Sequence, residues 1–160
     1  MGFCQYSSRM ASLKVRVQGG KIVICSAYAP HNGKPFEQRQ TFFHDLSRLL
    51  ESTSCHGPVL LMGDFNARLH RRFAREDAII GPYVFGNAAA QYNPSCNRTF
   101  FIEFCAARKL CVGNTLFDEP ADRQVTCYNV GAQPSNEPLP TKFDQIDFVL
   151  VPQTWAHNLQ

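Results

Sequence analysis

A carboxylate and an amide two residues apart, Asp64 and Asn66, follow four apolar residues, Val59-Leu60-Leu61-Met62, and a glycine, Gly63. If the chain stays extended there, side chains at i and i+2 point the same way. Asp64 and Asn66 then share one side of a strand end, while Phe65 points the other way, into a core. Hydrolysis of a phosphate ester needs a group that orients or deprotonates water, and neutral donors for the phosphate oxygens. Asp64 can be the first and the Asn66 amide the second. Asp and Asn also close turns by bonding their own backbone, so a plain strand-to-turn exit competes for this tetrapeptide. Tyr28 ends a second apolar stretch, 21–27, ahead of Ala29-Pro30-His31-Asn32-Gly33. Asp147 interrupts a third, 143–151. A buried carboxylate is costly unless paired. Asp147 therefore calls for a structural ion pair, backbone donors, or a histidine that it orients.

Directly after the Asp64 stretch comes Arg68-Leu69-His70-Arg71-Arg72-Phe73-Ala74-Arg75. It reads as a loop or a short helical turn. Charge runs are usually solvated surface. Its place beside Asp64 points instead to phosphate-backbone contacts by Arg68, Arg71, Arg72 and Arg75.

The elements that must position these groups follow from periodicity. Leu13, Val15 and Val17 alternate with Lys14, Arg16 and Gln18, the pattern of a half-buried strand. Gly19-Gly20 signals a hairpin, and 21–27 is the returning strand. Residues 1–10 show no pattern. Pro35 suits the first position of a helix, and Phe42, Phe43, Leu46, Leu49 and Leu50 form an amphipathic stripe to about Ser52. The run 59–62, bounded by turn signals, reads as a strand buried on both faces. Residues 80–94 are rich in Gly, Pro and Asn and read as a long loop. Phe100, Phe101, Phe104, Cys105 and Leu110 mark a second amphipathic helix over 98–110. A strand and its exit are expected at 111–117 and strands at 125–128 and over 143–151, with a proline-bearing surface loop at 129–142. Strand, helix and strand in alternation give an α/β (α+β) class.

The 160 residues fit one domain, and 44% hydrophobic with 18% charged residues is globular. The formal charge of +3 is too mild to establish a nucleic-acid partner by itself. Seven cysteines are scattered without a C-x-x-C pair, so no zinc site is expected and a reducing, intracellular compartment, nuclear or cytoplasmic, is. No apolar run has membrane-spanning length and no signal peptide is evident, so no membrane partner is expected.

Tyr28-Ala29-Pro30, Gly63-Asp64-Phe65-Asn66, Ile80-Gly81-Pro82, Gly113-Asn114-Thr115-Leu116-Phe117 and Gln145-Ile146-Asp147-Phe148 occur in this order. Together they resemble the endonuclease/exonuclease/phosphatase superfamily, most of all the apurinic-type endonuclease domains of non-LTR retrotransposons. The resemblance spans residues 12–151, leaving 1–11 unassigned and 152–160 as a tail. It implies a two-sheet β-sandwich flanked by helices in four αββα layers, incomplete at both termini. It also implies a magnesium-dependent phosphodiesterase acting on nucleic acid, DNA in the first place, with manganese as a second candidate metal. On the family pattern Asp64 activates water and binds metal, Asn66 and Tyr28 meet the phosphate, and Asp147 orients a histidine. The family's metal-binding Glu and its terminal Ser-Asp-His run have no counterpart, and His157 does not fit the latter. Cys127 replaces a usual tryptophan. His31 displaces an asparagine for which Asn32 can compensate. Impaired activity of the chain alone is therefore expected. The alternatives are a non-catalytic remnant that at most binds nucleic acid, and a phosphatase of the same fold acting on a phospholipid or inositol phosphate.

Overall fold

Alternation in the first half of the chain builds a sheet, and the two phenylalanine-rich stripes cover one of its faces. The computed structural model describes residues 2–53, 58–86, 95–128 and 143–156. Strands β1 (Gly2–Ser7), β2 (Met10–Val17) and β3 (Gly20–Tyr28) lead into helix α1 (Phe36–Thr53) and strand β4 (Val59–Asp64). Helix α2 (Asn97–Arg108), strand β5 (Leu110–Val112), a 3₁₀ turn (Gly113–Leu116) and a short α3 (Ala121–Gln124) follow. Strands β6 (Cys127–Tyr128), β7 (Phe143–Asp144) and β8 (Asp147–Pro152) and a short α4 (Gln153–Ala156) complete it. One sheet has six strands in the order β1-β2-β3-β4-β8-β5, and a second consists of β6 and β7. The β3–β4 pair is parallel and is joined through α1, while β4–β8 is antiparallel. No helix among the described residues is long and apolar enough to cross a membrane.

The core lies between the sheet and the two long helices. Phe42, Phe43, Leu46 and Leu49 of α1 and Phe101, Phe104 and Cys105 of α2 meet Val23, Cys25, Ala27, Leu61, Phe148 and Leu150. Phe65, fully buried just beyond β4, packs its ring 4.9 Å from Phe101 and 6.5 Å from Phe148. Such a cluster contributes more than area alone, about 0.5–1.5 kcal/mol per aromatic pair. It pins the exit of β4 to α2.

Four expectations change. Residues 2–7, patternless in the sequence, form the edge strand β1, paired with β2 from Gly2↔Lys14 to Ser7↔Met10. All of β1 is exposed, so its composition carries no burial signal. The two-residue hairpin loop falls on Gln18-Gly19, one position earlier than expected, with Gly19 at φ +88°. Strand β4 is not buried on both faces. Leu61 faces the helices, whereas Leu60 and Met62 are only half-buried on the opposite face, beside Leu13 (38% exposed) and Val149 (39%). The stretch 143–151 is not one strand. The Thr126 hydroxyl oxygen accepts the Ile146 and Asp147 N–H groups at 3.0 and 3.2 Å. Phe65 N–H donates to the Ile146 carbonyl at 2.9 Å. The chain therefore leaves β7 of the small sheet and enters β8 of the large one. The expected loop 129–142, residues 87–94 of the loop 80–94, and His157 lie outside the described residues.

Gly63 is the tightest point of the sheet. It adopts φ +148°, and a Cβ there would lie 1.9 Å from the Ala27 carbonyl oxygen of β3. Gly63→Ala adds backbone strain to a clash with the neighbouring strand, and the two together cost about 3 kcal/mol. Chemical denaturation should show that loss, whereas Gly20→Ala, in open space, should stay within about 1 kcal/mol.

Candidate active site

Three of the sequence-derived residues arrive side by side through strand register alone. Tyr28 is the last residue of β3 and pairs with Asp64, the last of β4. Asp64 pairs on its other side with Asp147, the first of β8. Residues directly opposite in neighbouring strands share a face. Tyr28, Asp64 and Asp147 thus form one row at the end of the sheet, on the face away from α1 and α2. Tyr28 is 54% exposed. Arg9 braces it: Nη1 donates to the Tyr28 carbonyl at 3.2 Å and the guanidinium stands over its ring, 5.0 Å from the centroid.

Asp64 combines the two readings of its motif. Its Oδ1 accepts the Asn66 backbone N–H at 2.7 Å, an Asx turn. The other carboxylate oxygen has no partner among the described residues. Asn66 sits at φ +48° and its Nδ2 donates to the Ala29 carbonyl at 2.9 Å. An amide nitrogen carries two hydrogens, so one donor remains. Burial pushes the Asp64 carboxyl up from its ordinary range. The Asn66 N–H pulls it back, the like charge of Asp147 raises it again, and Arg68 lowers it.

Asp147 departs from expectation. It is only half-buried, at the start of β8 rather than inside a buried run. No histidine pairs with it among the described residues. The carboxylate acting on His70 is that of Asp144, and burial is the larger influence, holding His70 below its usual value. Asp144 itself is buried and pairs with Arg68 Nε. Cys127 lies among these groups. Burial raises its thiol, and Arg68, Asp144, Asp64 and Asp147 all act on it.

The basic segment splits by contact. Arg68 is held by Asp144. Arg72 is held by Asp77 at 3.2 Å and by the Ile80 carbonyl at 3.4 Å. Arg71 and Arg75 are exposed and have no acidic partner among the described residues. Asn32 is exposed and has a structural contact through its side-chain oxygen. Its Oδ1 accepts the Asn97 backbone N–H at 2.8 Å, at the start of α2.

Sequence reasoning missed Asn97 and Arg39, which tie the two strand exits together. Asn97 Nδ2 donates to the Pro30 and Phe65 carbonyls at 2.7 and 3.3 Å. Arg39 reaches the Lys34 and Ser95 carbonyls at 3.1 and 2.7 Å and Asn97 Oδ1 at 3.3 Å. The sequence signal was an arginine near the start of an amphipathic helix, which gives no hint of its partners.

A hard divalent cation fits this donor set better than zinc does. Magnesium is held by one or two carboxylates, with water and substrate phosphate filling the remaining positions. Asp64 and Asp147 are two such carboxylates in register, and a cation would relieve their repulsion. No group of three or more His, Cys, Asp or Glu side chains that could hold a metal ion converges among the described residues, so a cation here would rest on these two carboxylates with water and substrate phosphate as its other ligands.

The raised Asp64 pKa gives a signed prediction. Its folded value lies above its unfolded value, so folding favours the protonated form. That contribution is present at low pH and is lost as pH rises through the folded value. Asp64→Asn, whose Oδ1 can still accept the Asn66 N–H, should therefore be more stable than wild type at neutral pH. The gap should close as pH falls toward the unfolded value near 4. Urea titrations at several pH values test this; a wild type more stable than the variant at pH 7 contradicts it.

No family model matches the chain. It is 27% identical over 154 residues to craniofacial development protein 2 of Bos taurus, covering 96% of this chain and 23% of that protein. The chain thus spans about a quarter of that curated relative. Among solved structures it is similar to NExo, a 3' phosphatase from Neisseria bound to a product DNA hairpin. There the TM-score is 0.57 and the identity 18%, over 96% of this chain and 55% of that one. It is also similar to the endonuclease domain of TRAS1, a telomere-specific non-LTR retrotransposon. The TM-score is 0.56 and the identity 11%, over 98% and 57% of the two chains. An endonuclease/exonuclease/phosphatase family protein from Leptotrichia buccalis matches with a TM-score of 0.53 and 13% identity, over 88% and 41%. The mixed architecture, the six-stranded sheet and these likenesses agree, and the chain has the fold of the endonuclease/exonuclease/phosphatase family.

Proposed function

We propose that the chain is a part of a magnesium-dependent phosphodiesterase that acts on nucleic acid, DNA in the first place. The observation that carries this is the row Tyr28–Asp64–Asp147, set by register. Two carboxylates and a phosphate repel one another. A cation between them would offset that repulsion and supply charge neutralisation for the phosphate. Asp64 and Asp147 would hold it.

The chain's own residues do the rest. The open oxygen of Asp64 orients the attacking water and takes its proton. The free hydrogen of the Asn66 amide and the Tyr28 phenol donate to the phosphate oxygens. As the water oxygen bonds to phosphorus, the bond to the leaving alcohol breaks, and that oxygen takes a proton from solvent. Asp147, without a histidine among the described residues, adds negative charge beside Asp64. Arg71 and Arg75 are the basic groups left to meet neighbouring phosphates. Nucleic acid as the substrate is supported by this basic segment, which begins a few residues after Asp64. It is also supported by the similarity to a phosphatase bound to a DNA hairpin and to a retrotransposon endonuclease domain.

A plasmid-nicking assay tests the reading. Weak nicking that requires magnesium and stops with chelator is expected. Loss of a general base costs about 10²–10⁴-fold, so Asp64→Asn should all but abolish it. Asn66→Ala should cost about 10²–10³-fold. Nicking that survives chelation or Asp64→Asn contradicts the assignment. A chain that binds the plasmid and never cuts it returns the reading to a binding remnant.

A further inference from the structure

The basic segment is shaped from beneath by one buried arginine that belongs to a different element. Arg98, in the first turn of α2, is buried. Its Nε donates to the Leu69 carbonyl at 3.1 Å and its Nη2 to the Arg71 carbonyl at 2.9 Å. Its two terminal nitrogens meet the two oxygens of Glu76 at 2.8 and 2.6 Å. Glu76 Oε2 in turn accepts the Phe73 backbone N–H at 2.8 Å. The Phe73 ring lies 4.5 Å from the guanidinium carbon of Arg98 and 4.5 Å from that of Arg71. One planar fork therefore engages residues 69, 71 and 76, and through them Phe73. Only arginine can make such contacts at once, because its donors are fixed in a plane.

We propose that Arg98, with Glu76, is a positioning residue for nucleic-acid binding: it fixes residues 69–76 so that Arg71 and Arg75 face outward as preformed phosphate contacts. This rests on the nucleic-acid reading above. The charges support it. The Glu76 carboxylate neutralises Arg98 inside the protein, Asp144 takes Arg68 and Asp77 takes Arg72. Arg71 and Arg75 remain. A segment that is already ordered gives up less conformational freedom on binding, and that saving appears as affinity.

The test is the salt dependence of binding to a DNA duplex, measured for wild type, Arg71→Ala/Arg75→Ala, Arg98→Met/Glu76→Met, and all four changes together. Each lost phosphate contact lowers the slope of log K against log salt by about 0.9. The arginine pair should lose about two contacts. The clamp pair should lose at least about one, although it leaves both surface arginines in place. The four-fold variant should be no worse than the arginine pair, since both act through the same contacts. A buried ion pair replaced on both sides by apolar groups often keeps stability, and a thermal melt verifies that. If that variant fails to fold, Arg98→Lys serves. It keeps the charge and cannot hold two carbonyls and a carboxylate together, so it should lower the slope too. A folded clamp variant with the wild-type slope, or losses that simply add, overturns the inference and leaves the nucleic-acid reading standing. A wild-type chain with no salt-dependent binding overturns both.

Discussion

Everything at the candidate site depends on the register of three strands. β3 and β4 run parallel and end together, and β8 enters antiparallel at the same level. That alignment brings Tyr28, Asp64 and Asp147 into one row with no loop involved. Rigid strands hold reacting groups more closely than loops do. The alignment has a cost, because two carboxylates directly opposite each other destabilise a sheet. Gly63 lets β4 approach β3 closely just before the row, and Phe65 anchors the chain just after it. The residue between them, Asp64, has little freedom to move away from Asp147.

Around this row, the surrounding charges are sorted by burial. Buried arginines serve the architecture: Arg39 gathers the exits of two elements, and Arg98 organises the basic segment. The arginines of that segment divide into those held by an aspartate, Arg68 and Arg72, and those left open, Arg71 and Arg75. The open ones lie on a segment that begins only a few residues after Asp64. The opposite faces of the sheet differ in the same way. The helix face is a packed aromatic core, and the other face carries the polar row at its end with half-buried aliphatic side chains behind it.

Much of this was legible in the sequence because it is local. Alternation along 13–17, the stripe from Phe42 to Leu50 and the apolar run before Gly63 each announce their element. The spacing of Asp64 and Asn66 announced both of its readings. The two coexist, since the Asx turn uses one carboxylate oxygen and leaves the other. What stayed hidden is non-local. β1 is fully exposed and is held by its pairing with β2. The break between β7 and β8 is set by a hydroxyl at Thr126, 20 residues before Ile146. Arg98 and Glu76 are 22 residues apart, and nothing in either neighbourhood predicts the pair. Asp147 looked buried because its neighbours in sequence are apolar, yet its place at a strand start opens it to solvent. The bond from the Asn97 N–H to Asn32 Oδ1, at the start of α2, joins residues 65 apart and was hidden for the same reason.

The central claim is that the row formed by register is a cation site. Manganese in place of magnesium broadens the NMR signals of nuclei near it, so a titration of isotope-labelled protein locates the ion directly. The account predicts broadening centred on the amides of Tyr28, Asp64, Phe65 and Asp147 at substoichiometric manganese, lost in Asp64→Asn. Broadening centred elsewhere, or unchanged by that substitution, would contradict it.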